Sequence, residues 1–331
     1  MKKRILITLF QLICYCLSLS TAMAQPVTSR AGTASAYIER GATWFVKGEY
    51  EHALADFDLA IASDPSHAGA YYNRAVTRYR LKVYNQALTD FTRAIQLDPR
   101  YIEAYVDRAG AHYTLGDLDN AIIDLGKAIK LEPRLAIAWN NRGLIRAGKG
   151  DHHGALGDLD RAIKLNPRRA DFYNNRGVVR FQIGDFSGAI SDQTQAINLN
   201  PSFVEAWSDR GAARQFKGDL DGALTDYNQA IKLNPRFDDA WFNRATYWKA
   251  EGDLELAEAD FTHVIELKPN LADPYAQRGL VRLLSGRDDE ADQDFARCLK
   301  LNKNLKRSLD MLIAEAKHQV ARRGYRRIYS P

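Results

Sequence analysis

An all-α fold of stacked helix pairs, an α-solenoid, is predicted by three observations. Pro65, Pro99, Pro133, Pro167, Pro201, Pro235 and Pro269 are each separated from the next by 34 residues. Ala53, Ala87, Ala121, Ala155, Ala189, Ala223, Ala257 and Ala291 recur at the same step. So do the large aromatics Tyr37, Tyr71, Tyr105, Trp139, Tyr173, Trp207, Trp241 and Tyr275. A single globular core has no reason to keep one spacing over so long a stretch, whereas helix pairs that each bury a face on the next one do.

The chain opens on Lys2, Lys3 and Arg4, followed by a mostly apolar run from Ile5 to Leu19 and by Ala22-Met23-Ala24. That order of charge, apolar run and small-x-small site predicts a secretory signal over residues 1–24, cleaved before Gln25. A short linker, 25–33, precedes the first repeat. A periplasmic or secreted location follows from the signal. Its removal takes the formal net charge from +5 to +2, which excludes nucleic acid as a partner on bulk charge. It also leaves Cys298 alone, so no internal disulfide is expected and the cysteine is read as a small packing residue.

Placing each proline at position 32 gives units of 34–67, 68–101, 102–135, 136–169, 170–203, 204–237, 238–271 and 272–305. The aromatic stands at position 4 and the alanine at position 20. Gly or Ala fills position 8, and a large apolar residue fills most of position 24, among them Phe57, Phe91, Leu125 and Phe261. Small residues let two helices approach closely, and the large ones fill the space between them. In each unit a helical apolar pattern meets a turn such as Gly116-Asp117, Gly150-Asp151 or Gly218-Asp219. Gly suits a left-handed helix end and Asp the next helix start. A second helical stretch then stops at the proline, which lacks an N–H and restricts the residue before it. Gln193 departs from the apolar pattern of position 24, and Lys303 replaces the eighth proline.

With these residues at these offsets, the chain resembles the tetratricopeptide repeat family, in an exported, bacterial form, over eight units. The resemblance implies a right-handed α-solenoid whose first helices line a concave groove for a protein or peptide partner, without catalysis and without a cofactor. In the family that groove is lined mainly by positions 2, 5, 6, 9, 12 and 13. Position 6 supplies Asn73, Asn141, Asn175 and Asn243, and an asparagine both donates to and accepts from an extended peptide backbone. Tyr79, Tyr113 and Phe181 are neighbouring seats for apolar side chains. Acidic residues at position 2, including Glu103, Asp171 and Glu205, argue against a clamp for a C-terminal carboxylate.

Two charges recur in all eight units: Arg at position 7 and Asp at position 23. Arg142 with Asp158 and Arg176 with Asp192 are representative pairs. A charge at a helix-facing position is costly unless paired, and Arg pairs bidentately. These residues are read as internal braces, with ligand-binding arginines as the competing assignment. No phosphate-binding loop, nucleophile elbow or zinc-ligand spacing is present in the sequence, so no catalytic residue and no metal ligand is assigned.

Leu309, Leu312, Ile313, Ala316 and Val320 fall at helical spacing and predict a helix over 306–322 that covers the last repeat. Residues 323–331 form a basic tail. From 306 onward seven basic residues face two acidic ones, a charge suited to weak contact with anionic membrane lipid. The alternative function is therefore an assembly or docking factor of an envelope complex that uses the convex face or this tail.

Overall fold

The computed structural model describes residues 33–329. The signal assigned to 1–24 and most of the linker lie outside the described residues. Among the described residues the chain forms seventeen α-helices and one 3₁₀ turn, with no strand. They fall in two compact units divided between Ile183 and Gly184.

The first unit holds α1 (Ala34–Lys47), α2 (Tyr50–Ser63), α3 (Ala68–Arg80), α4 (Tyr84–Leu97), α5 (Ile102–Thr114), α6 (Leu118–Leu131), α7 (Ala136–Gly148), α8 (His152–Leu165) and α9 (Ala170–Gln182). Each helix packs against the next. The second unit holds α10 (Phe186–Leu199), α11 (Val204–Lys217), α12 (Leu220–Leu233), α13 (Asp238–Glu251), α14 (Leu254–Leu267), α15 (Ala272–Leu284), α16 (Asp288–Leu301), the 3₁₀ turn Lys303–Leu305 and α17 (Lys306–Tyr329). Its helices also pack in sequence, and α17 lies against α15.

The ends of these helices follow from local chemistry. Position 15 adopts a left-handed backbone throughout, with φ from 75° at Gly286 to 93° at Gly252, which costs glycine nothing. The second repeat carries Lys82 there, at φ 63°. Asp117, Asp151, Asp185 and Asp219 then accept a backbone N–H three residues on and cap the second helix. Before the prolines, Asp64, Asp98, Asn166, Asn200 and Asn234 accept the N–H two residues on, a side-chain turn that bends the chain around the ring. The indoles of Trp139, Trp207 and Trp241 donate to the carbonyls of Pro133, Pro201 and Pro235. In these repeats the position-4 aromatic thus ties the helix to the turn before it.

Every position-20 alanine is fully buried. A Cβ built on Gly211 would lie 2.7 Å from the ring of Tyr227, and one on Gly279 would lie 2.5 Å from Phe295. The position-24 side chain therefore occupies the space that glycine leaves at position 8. Cys298 is buried in the core formed by α15, α16 and α17, beside Phe295 and Leu309, and burial raises its thiol pKa. The closing helix differs from the sequence reading. It does not stop at 322 but runs to Tyr329: no proline intervenes, the arginines favour the helix, and Gly324 alone, at a cost of about 1 kcal/mol, does not end it.

Candidate functional site

The recurring arginines are positioned by the first helix of each pair, one turn after the position-4 aromatic. Arg142 Nε donates to Asp158 Oδ2 at 2.8 Å and its Nη2 to Oδ1 at 2.7 Å. The same fork joins Arg40 to Asp56, Arg74 to Asp90, Arg108 to Asp124, Arg210 to Asp226, Arg244 to Asp260 and Arg278 to Asp294. All seven aspartates are buried. Arg176 belongs to α9 in the first unit and the buried Asp192 to α10 in the second; Arg176 Nη1 donates to Asp160 at 2.7 Å.

Three further contacts surround the guanidinium. It lies over the position-4 ring in all eight repeats, at 4.8 Å from the centroid for Arg142 over Trp139. Its free edge reaches back to position 25 of the preceding repeat, as in Arg74–Asp58, Arg108–Thr92, Arg210–Thr194, Arg244–Asn228 and Arg278–Thr262. Arg142 meets Gly126 at the corresponding place. Where position 11 is also arginine, as at Arg78, Arg146, Arg214 and Arg282, that side chain approaches the same aspartate. Burial lowers the Arg278 pKa, but its bonds to Asp294 more than offset this and hold it above the ordinary value. A guanidinium so enclosed has its donors spent within the protein, the condition under which a buried charge is tolerated.

The asparagines of position 6 are placed less accessibly than a peptide ladder requires. Asn141 and Asn175 are only 2% and 3% exposed. Asn140 Nδ2 donates to Asn141 Oδ1 at 3.2 Å, and Asn175 Nδ2 donates to Asn140 Oδ1 at 2.9 Å. Asn243 Nδ2 likewise donates to Ser208 Oγ, and Tyr72 Oη donates to Asp107 Oδ2 at 2.7 Å. Position 5 of one repeat thus bonds position 6 of the next. Neighbouring first helices stand close enough for their short polar side chains to meet, which turns Asn141 and Asn175 inward. Asn73 and Asn243 stay half-buried.

What reaches solvent from the first helices lies one and two turns further on. In the first unit position 12 carries Phe45, Tyr79, Tyr113 and Phe181, all half-buried. Tyr79 packs against Tyr84, and its hydroxyl meets Thr114 Oγ1 at 3.0 Å. Burial raises the pKa of Tyr113, so it stays a neutral phenol at physiological pH. In the second unit Phe216 is half-exposed and stacks on Phe186.

Family models described as tetratricopeptide repeat match residues 72–141, 106–159, 140–202, 238–271 and 272–305, and one described as TPR repeat matches 217–250. These matches cover more than half of the chain. It is a tetratricopeptide repeat protein. A tetratricopeptide repeat protein of Parabacteroides merdae ATCC 43184 is 18% identical, with a TM-score of 0.63 over 75% of this chain and 98% of its own. The APC/C hetero-tetramer Cut9–Hcn1 is 17% identical, with a TM-score of 0.63 over 85% of this chain and 55% of its own. MamA is 24% identical, with a TM-score of 0.47 over 51% of this chain and 92% of its own. No curated protein matches the chain at a significant level. At such identities the solved structures show the tetratricopeptide repeat fold alone. Sequence reasoning missed the position-25 acceptors and the bonds between positions 5 and 6. Both left a signal in the recurrence of Asp, Thr or Asn at position 25 and of short polar residues at 140, 174, 175 and 208.

Proposed function

We propose that this tetratricopeptide repeat protein is a scaffold that holds an extended segment of a protein partner along the first helices of its repeats, outside the cytoplasm. The family is generally non-catalytic and engages proteins. The observation that carries the reading is the row Phe45, Tyr79, Tyr113 and Phe181, where one register position places a reachable aromatic on four of the five first helices of one unit. Aromatic anchors in partly enclosed seats supply most of the binding energy of peptide interfaces. The inward-facing Asn141 and Asn175 both bond the buried side chain of Asn140, while Asn73 and Asn243 remain candidates for contact. Export rests on the order of residues 1–24.

Partners captured from an envelope extract by the full mature chain should be lost when Tyr79, Tyr113 and Phe181 are all replaced by alanine. They should be kept when the chain is cut after Val320. The reverse outcome supports docking through the basic end of the chain instead. The exported product should begin at Gln25 by mass spectrometry; a full-length cytoplasmic product would contradict the location.

A further inference from the structure

A cavity of about 320 Å³ opens in the second unit between α13, α14, α15 and α17. Its walls are Leu254, Leu280, Leu284, Leu312 and Ala316. Three polar side chains border it: Lys249 from α13, and Glu315 and Gln319 from α17. Lys249 Nζ bonds Gln277 Oε1, which occupies one of its three donors. No ion pair holds Glu315 among the described residues, and it is exposed. Lys249 and Glu315 border the same cavity; burial lowers the Lys249 pKa, and the field of Glu315 opposes that shift.

A half-open, leucine-walled cleft bordered by one cation and one anion that do not close on each other is suited to a small molecule with the opposite arrangement. The volume sits at the lower end of the ~300–1,000 Å³ of small-ligand sites. We propose that this cavity binds a free aliphatic α-amino acid, with its carboxylate on Lys249 Nζ, its ammonium on Glu315 and its branched side chain among Leu280, Leu284 and Leu312. A molecule with only one of the two charges either leaves the desolvated Lys249 uncompensated or forgoes the pair with Glu315, and binds more weakly. The closing helix supplies four of the nine lining residues, so occupancy also fastens α17 to the last repeat.

The test uses the full mature chain with L-leucine, 4-methylpentanoate, isoamylamine and N-acetyl-leucine methylamide as probes. Leucine should shift the methyl resonances of Leu280, Leu284 and Leu312 in a saturable way. Both singly charged analogues and the capped residue should bind at least about 10-fold more weakly, a difference of about 1.4 kcal/mol. Lys249→Met and Glu315→Gln should each weaken leucine binding by a similar factor while the apo thermal midpoint stays within a few degrees. Absence of shifts at those methyls in the wild-type chain overturns the proposal whatever the variants do. Tighter binding of the capped residue overturns it in favour of a seat for a residue within a polypeptide.

Discussion

At the residue scale the position-7 arginine does more than pair with one carboxylate. Arg142 bonds Asp158 through two nitrogens, lies over Trp139 and shares Asp158 with Arg146. The Arg142 side chain is 15% exposed and that of Asp158 is 4% exposed, so Asp158→Leu, which strands Arg142 and Arg146 together, should cost about 3–5 kcal/mol, and Arg142→Leu less, because Asp158 keeps Arg146. The double-mutant cycle should show coupling above about 1 kcal/mol; additive effects within ~0.5 kcal/mol contradict the brace. The repeated Arg and Asp could be read from the sequence as a pair, because both recur in every unit. That the arginine also reaches position 25 of the repeat before left only the recurrence of Asp, Thr or Asn there as its signal, since the contact itself depends on how closely the pairs stack. Gln193 is the opposite case. It is 1% exposed, and its amide has no hydrogen-bond partner among the described residues. Gln193→Leu restores the apolar filler found in the other repeats and should raise the unfolding free energy by about 1–3 kcal/mol in urea titration.

At the element scale helix boundaries were largely legible, because a left-handed residue, an Asp cap and a proline each act within a few residues. Lys82 tests that account. A side chain in the left-handed region costs about 1–2 kcal/mol, partly offset by the extra freedom glycine brings to the unfolded chain. Lys82→Gly should therefore stabilise by about 0.5–1 kcal/mol, read as a higher denaturant midpoint at unchanged slope; a loss of stability would contradict it. The closing helix was legible from its apolar spacing but not in its length, since that spacing ends at Val320 while the helix continues through Gly324 to Tyr329. Leu309 is 2% exposed within the core that α17 shares with α15 and α16. Leu309→Ala should cost about 2–5 kcal/mol, and the loss should appear first as faster amide exchange in α17 and α16.

At the scale of the whole molecule, composition and the 34-residue step were enough to read helix pairs, because each pair repeats one packing solution with local contacts. The proposed binding face was less legible. The register pointed to positions 6 and 12 alike, and only the distance between neighbouring first helices decides that Asn141 and Asn175 turn inward while Tyr79, Tyr113 and Phe181 stay reachable. The central claim is that a partner lies along the first helices. The most direct measurement places a photo-crosslinking phenylalanine at Tyr113 in α5 or at Ile123 in α6 of the same repeat, the latter 56% exposed on the second helix. The account predicts that irradiation in envelope extract yields a discrete covalent adduct from position 113 and none from position 123. An adduct from 123 alone would show that the partner sits on the second helices and would contradict the account.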